Sequence, residues 1–232
     1  MQIELNVRTL AGRYKIHGSV RFLSHQEALK VVQRALLRSG ADLIYSQGYN
    51  PRPKLSLPLP KSVGIASEDE LFCAQISCQP VTDGRPGENG DLNKELFKSI
   101  AAQMPEGFCL TELTVHNGRV TYQPLEAEYL VFINDAEELV KVSAQADKLN
   151  GLIRAGEEMT IERTVDEKGS VKTVDVGKFL KSFEQVPEGI KVVSKITDKG
   201  TIRPDEILRL LGLEPERIGI SMVRKKVNWQ MN

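Results

Sequence analysis

Arg13-Tyr-Lys-Ile-His-Gly-Ser-Val-Arg-Phe-Leu-Ser-His-Gln-Glu-Ala-Leu-Lys-Val-Val-Gln-Arg-Ala-Leu-Leu-Arg-Ser-Gly40 changes its hydrophobic period part-way along, and the change decides the fold class. From Arg13 to Leu23 apolar and polar residues alternate, with Tyr14, Ile16, Gly18, Val20 and Phe22 on one side, which predicts a strand. Ser24 and Glu27 then form a capping-box pattern. Ala28, Leu29, Val32, Ala35 and Leu36 follow at helical spacing until Gly40 ends the run. Lys30, Arg34 and Arg38 fall at i, i+4 and i+8 on the opposite face, a basic stripe that an ordinary solvated helix face also produces.

Further along, Leu43–Tyr45 begins a second strand. Val63–Gln79 contains a third, in which Phe72, Ala74 and Ile76 alternate with Cys73, Gln75 and Ser77. The stretch from Val81 to Gly90 is rich in Gly, Pro, Asp and Asn and reads as a flexible loop. Leu96, Phe97, Ile100, Ala101 and Met104 mark a second helix that stops at Pro105-Glu-Gly107, and Phe108–Val115 returns as a strand. This β-α-β-β-α-β order is the split arrangement of ferredoxin-like folds, with both helices on one face of an antiparallel sheet.

The second half begins like the first. Tyr129–Ile133 reads as a strand. Asp135 and Glu138 open a helix through Leu139, Val142, Ala146 and Leu149 that stops at Asn150-Gly151. Met159–Val165 and Val171–Val176 flank a hairpin turn at Glu167-Lys-Gly169, and Ile190–Ile196 is a further strand. Pro204 to Gly212 specifies a short helix and Ile218–Trp229 a closing strand. The expectation is an α+β protein of two ferredoxin-like units in tandem, over residues 1–118 and 119–232.

Composition narrows the function classes. The 232 residues are 41% hydrophobic and 27% charged, a globular balance that fits two ordinary cores. No apolar run reaches the roughly 20 residues of a membrane span, and Met1 to Val7 lack the apolar core of a signal peptide, so the expected location is the cytoplasm, with no membrane partner. Three cysteines, Cys73, Cys78 and Cys109, argue against a disulfide framework. Cys73 and Cys78 face opposite sides of a continuous strand, which speaks against a metal site there. The net charge is zero, yet Arg13 to Lys61 holds nine Lys/Arg against two acids, 9 − 2 = +7, and the remainder balances it at −7. Such a segment either meets an anionic partner or is complemented by the chain's own acidic half.

The densest stretch is Tyr45-Ser-Gln-Gly-Tyr-Asn-Pro-Arg-Pro-Lys-Leu-Ser56. Gly48 permits a positive φ, while Pro51 and Pro53 fix their own φ and push Asn50 and Arg52 toward extended backbone. In an extended segment Arg52, Lys54 and Ser56 point one way and Pro53, Leu55 and Leu57 the other, toward the core. Tyr45, Gln47, Tyr49 and Asn50 beside these cations make a mixture suited to stacking on bases and contacting phosphates of a single strand. The competing reading packs both tyrosines in the core and uses the prolines to end strand pairing.

Arg21-Phe-Leu-Ser-His25, Arg34-Ala-Leu-Leu-Arg-Ser-Gly40, the Tyr45–Ser56 stretch and Gly64-Ile-Ala-Ser67 together resemble the radical SAM-linked proteins, a domain of unknown function found beside or fused to radical S-adenosylmethionine proteins. Val174-Asp175, Ile202-Arg-Pro-Asp-Glu206 and the strand around Arg224 extend the resemblance over nearly the whole chain. Gln26-Glu27 departs from the apolar residue and aspartate that often follow the histidine in that family. The resemblance implies a radical SAM protein as partner, and RNA or a ribosome-associated target is the further partner expected here. S-adenosylmethionine and an iron–sulfur cluster enter only through that partner, because the chain lacks the closely spaced cysteine triplet of a radical-generating cluster.

Candidate binding residues are therefore Arg21, His25, Arg34, Arg38, Tyr45, Gln47, Tyr49, Asn50, Arg52 and Lys54. His25, in the first helical turn where a positive helix end favours neutral imidazole, is the one catalytic candidate. A non-catalytic RNA-binding adaptor is the leading reading. A protein-only accessory subunit of a radical SAM enzyme and a metal-independent RNA-processing enzyme using His25 are its rivals. Sequence shows no phosphate loop, dinucleotide fingerprint or metal-ligand cluster.

Overall fold

The structure, a computed structural model, describes residues 6–78, 88–164, 169–217 and 221–232. The chain is mixed α+β, and its strands pair mostly antiparallel. It divides into two compact units, the first within residues 1–63, 67–123 and 230–232, the second within residues 64–66 and 124–229.

In the first unit β1 (Asn6–Ile16), α1 (His25–Arg38), β2 (Leu55–Ser56), β3 (Ala66–Cys78), α2 (Glu88–Gln103) and β4 (Phe108–Asn117) follow in the expected order. The sheet runs β4-β1-β3, with β2 also on β3, and each of these pairs is antiparallel. Ser24 caps α1 by accepting from Glu27 N, while the Glu27 carboxylate accepts from Ser24 N at 2.8 Å. Its hydrogen bonds from Ser24 hold the Glu27 carboxyl below its ordinary range. Ala28, Val32 and Leu36 bury one face of α1 in a core cluster with Leu10, Tyr14, Phe72 and Ile100, and Ala35 is buried as well. The Tyr14 ring stacks on Phe108 at 5.8 Å and leans on Phe72 at 6.1 Å. Gly12 lies under Phe72, and a Cβ there would sit 2.2 Å from its ring, so the close approach of β1 and β3 requires glycine.

The second unit takes β5 (Tyr122–Phe132) from Pro124 onward, α3 (Ala136–Ala155), β6 (Thr160–Thr164), β7 (Val171–Asp175), β8 (Leu180–Val186), β9 (Gly189–Lys195), α4 (Pro204–Leu210) and β10 (Met222–Met231) as far as Trp229, so that Tyr122 belongs to the first unit. Its sheet runs β10-β5-β9-β8, and β6 and β7 form a separate two-stranded sheet. Asp135 caps α3 by accepting from Glu138 N at 2.7 Å. Buried Val142, Ala146 and Leu149 face inward from α3, which packs on β8 and β9.

Several elements differ from the expectation. The first strand is Asn6–Ile16 rather than Arg13–Leu23, because residues Gly18–Phe22 close into a 3-10 turn; Phe22 is exposed. The second strand is Leu55–Ser56, and Leu43 and Tyr45 contribute only single bridges. α2 already begins at Glu88, and the rest of the expected loop, residues 81–87, lies outside the described residues. α3 runs through Asn150-Gly151 to Ala155 and ends at Gly156 in left-handed conformation. Asn150 makes tertiary hydrogen bonds instead of a stop, its amide donating to Phe183 O at 2.7 Å and its Oδ1 accepting from Phe183 N at 2.9 Å. β8 has no counterpart among the expected strands. The turn between β6 and β7, residues 165–168, and residues 218–220 of the expected last strand lie outside the described residues.

Candidate nucleic-acid interface

The segment from Ile44 to Lys54 folds back on itself as an arm. Tyr45 bridges to Pro53, Ser46 N donates to Arg52 O at 2.8 Å, and Ser46 Oγ accepts from Arg52 N at 3.0 Å. Lys54 N donates to Ile44 O at 2.8 Å. Both legs are then tied to one residue of β3, since Ile44 N donates to Gln75 O at 2.8 Å and Gln75 N to Lys54 O at 2.9 Å. Proline rings at 51 and 53 stiffen the returning leg, and Gly48, at φ 136°, supplies the turn at the tip.

The tip faces water. Gln47, Gly48, Asn50, Pro51 and Arg52 are exposed, and Tyr49 is 99% exposed. Tyr45 is 40% exposed, so neither tyrosine is a core residue. Lys54 is half-buried at the base of the arm.

Arg21 and His25 belong to a different constellation. Lys61, 8% exposed, aims its ammonium at three carbonyl oxygens, Arg21 O at 2.5 Å, Leu23 O at 2.8 Å and Ser62 O at 3.2 Å. Its backbone N–H donates to His25 Nδ1 at 3.3 Å. An imidazole that accepts at Nδ1 carries its proton on Nε2, which makes that second nitrogen a donor. Arg21 Nη1 donates to Gly18 O at 2.8 Å, and its guanidinium lies 4.4 Å from the centre of the exposed Phe22 ring. Lys61, in sequence only one more positive charge, is the residue that joins the 3-10 turn to the start of α1.

The basic segment is therefore sorted by the fold. Arg13 is drawn into an ion pair with Asp69 at 3.1 Å, Lys61 is buried, and Lys30, Arg34, Arg38 and Arg52 are exposed. Arg34 and Arg38 ride on the solvent face of α1, whereas Arg52 is carried on the arm.

Beside the arm, a cleft of ≈ 350 Å³ is lined by Lys54, Ser56, Cys73, Gln75 and Tyr122 among others. Burial pushes the Cys73 thiol up to about 11, so it is protonated and a poor nucleophile at neutral pH. Burial likewise raises the Tyr122 phenol, whose hydroxyl lies 2.9 Å from His116 Nε2. Among the described residues no group of His, Cys, Asp and Glu is placed to hold a metal ion.

A family model described as "Uncharacterized protein conserved in bacteria (DUF2344)" matches residues 10–204. The chain belongs to this family. The family's description names neither an activity nor a radical SAM partner. No curated protein matches the chain. Among solved structures, the regulatory subunit of aspartate kinase from Thermus flavus is similar at 12% identity, over 90% of this chain and 92% of that chain, with a TM-score of 0.22. A likeness at that score carries no argument about fold or function. No helix among the described residues is long and apolar enough to cross a membrane.

Proposed function

We propose that this protein is a non-catalytic adaptor that grips single-stranded RNA with the arm and presents it to a partner radical SAM enzyme in the cytoplasm. The observation that carries the RNA reading is Tyr49, 99% exposed at the tip of a stiff, doubly anchored arm. An aromatic ring held entirely in water contributes nothing to the core, and a sequence-tolerant stacking platform beside Arg52 is what single-strand binding uses. The sequence resemblance supports the partner, which supplies S-adenosylmethionine and the iron–sulfur cluster. The tautomer of His25 supports the non-catalytic reading, because its Nδ1 lone pair already accepts from Lys61 N and its Nε2 bears the hydrogen, which leaves no free ring nitrogen to act as a base. Both units are read as ferredoxin-like: the orders β4-β1-β3-β2 and β10-β5-β9-β8 support that reading, with β6 and β7 as an insertion in the second.

The test is copurification from the native host of the tagged wild type and of an Arg52→Ala/Lys54→Ala variant. Bound RNA is sequenced and bound proteins are identified by mass spectrometry. RNA enriched with the wild type and absent from the variant, together with a radical SAM protein, is the expected result. A radical SAM protein recovered equally in both with no enriched RNA contradicts the RNA reading in favour of a protein-only accessory subunit.

A further inference from the structure

The chain has seven Phe, five Tyr and one Trp, all among the described residues, and three of these rings are exposed: Phe22, Tyr45 and Tyr49. All three belong to the basic segment Arg13–Lys61. Two are on the arm. Phe22 stands apart, 55% exposed at the end of the 3-10 turn Gly18–Phe22, and its support is as firm as that of the arm. On one side the Lys61 ammonium donates to Arg21 O and Leu23 O, the carbonyls that flank Phe22. On the other the turn is held against Gly107, where His17 N donates to Gly107 O at 2.9 Å and a Cβ would come within 2.5 Å of Val20 Cγ2. The Arg21 guanidinium, 4.4 Å from the centre of the Phe22 ring, is fixed by its bond to Gly18 O. Phe22 thus repeats three features of the arm: a ring in water, a rigid backbone and a cation beside the ring. That combination takes the bases and phosphates of a single strand. One ring with a stacked cation suits a base and its phosphate better than it suits the broad apolar core of a protein interface.

We infer that Phe22, backed by Arg21, is a second stacking platform, and that the strand gripped at the arm runs on to it. This rests on the single-strand reading of the arm and adds the length of strand that the protein holds. Gln75, which anchors the arm, lies opposite Thr9, and the 3-10 turn follows Ile16. Arm base and turn are therefore at opposite ends of β1, about 23 Å apart at roughly 3.3 Å per residue. The chain itself makes the same journey between Arg52 on the arm and Lys61 beneath Phe22, a stretch that can extend at most about 32 Å. A strand of about a dozen nucleotides, within the roughly 4–16 that single-strand sites occupy, reaches both platforms. Lys61 is then a positioning residue for Phe22: buried itself, it holds the ring outward.

The experiment measures fluorescence anisotropy of a labelled oligoadenylate of about twelve nucleotides against the full chain, as wild type, Phe22→Ala, Phe22→Leu, Tyr49→Ala and Phe22→Ala/Tyr49→Ala, with a thermal melt of each. If one strand bridges both platforms, Phe22→Ala weakens binding at least about fivefold, Tyr49→Ala does so as well, and the double variant loses about the product of the two. Phe22→Leu keeps apolar cover over the turn and removes the ring, so it should weaken binding like Phe22→Ala, and it decides the matter where Phe22→Ala melts early. Wild-type affinity in Phe22→Ala or in Phe22→Leu, with Tyr49→Ala weakened, overturns the second platform and leaves the arm reading standing. Losses of about twofold or less in each single variant, with binding gone in the double, mean that the rings are alternative sites and overturn the bridging strand. A copurifying protein lost from Phe22→Ala while strand affinity is unchanged overturns the inference in favour of a protein contact at Phe22. No binding by the wild type overturns platform and arm together.

Discussion

Arm and collar, two parts of the first unit, draw on the same basic segment and are turned opposite ways. In the arm, Tyr49 and Arg52 face water from a backbone that is pinned at Gln75. In the collar at the start of α1, Lys61 is buried on three carbonyl oxygens and its N–H engages His25. A lysine in a basic segment is therefore not thereby a binding residue. A cation whose partners are backbone carbonyls stabilises the fold, and one that the fold leaves in water on a rigid support is available to an anion.

That contrast fails most visibly if stability and binding do not separate between the two parts. Lys61→Met keeps a long unbranched side chain and removes the ammonium, leaving buried carbonyls short of a donor. A decrease of about 2–4 kcal/mol in urea unfolding is expected. Tyr49→Ala is expected to leave the unfolding midpoint unchanged and to weaken single-strand RNA binding by about 1–3 kcal/mol, roughly five- to 150-fold. A midpoint shift in Tyr49→Ala comparable to that of Lys61→Met would erase the distinction.

Salt separates the arm from the helix face more finely. Removing one cation–phosphate pair on a single strand should lower the slope of log affinity against log salt by about 0.7, so Arg52→Ala/Lys54→Ala should lower it by about 1.4. Arg34→Ala/Arg38→Ala, on the helix face, should change that slope less if the strand follows the arm.

The smallest effect lies at the helix start next to the collar. The Glu27 carboxyl is held down by its bonds to Ser24, so the stability it adds is present above the unfolded value near 4.5 and is lost as pH falls through the lower folded value. Wild type and Glu27→Ala should therefore differ in melting temperature at neutral pH and converge in acid below that window. A difference that stays constant down to acid would contradict the capping-box assignment.

The parts of the molecule that sequence reveals are those whose signals are local. α1 is readable because Ser24, Glu27 and the apolar stripe lie within one helix. The arm is readable because Gly48, Pro51 and Pro53 are crowded between two tyrosines and two cations. β1 is displaced from its expected place because Gly12 leaves a gap in its alternation that Phe72 fills from β3, while the apparent alternation continues falsely through the 3-10 turn. β8 escapes a period-two reading because a bulge between Leu180 and Ser182 puts its buried residues, Leu180 and Phe183, three apart rather than two. Asn150-Gly151 resembles a stop because the tertiary bonds of Asn150 to Phe183 are invisible in the local chain. The collar is hidden for the same reason: Lys61 and His25 are 36 residues apart, and no local pattern marks a lysine that will be buried. The cleft draws Lys54, Gln75 and Tyr122 from three separate segments, so only the folded chain brings them together.

Whether the arm grips RNA is decided by fluorescence anisotropy of a labelled single-stranded RNA against the wild type and Tyr49→Ala, each shown to melt at the same temperature. Binding by the wild type that weakens at least about fivefold in Tyr49→Ala is the predicted result. Equal binding by the two proteins, or no binding by either, contradicts the assignment of the arm as the RNA-gripping surface.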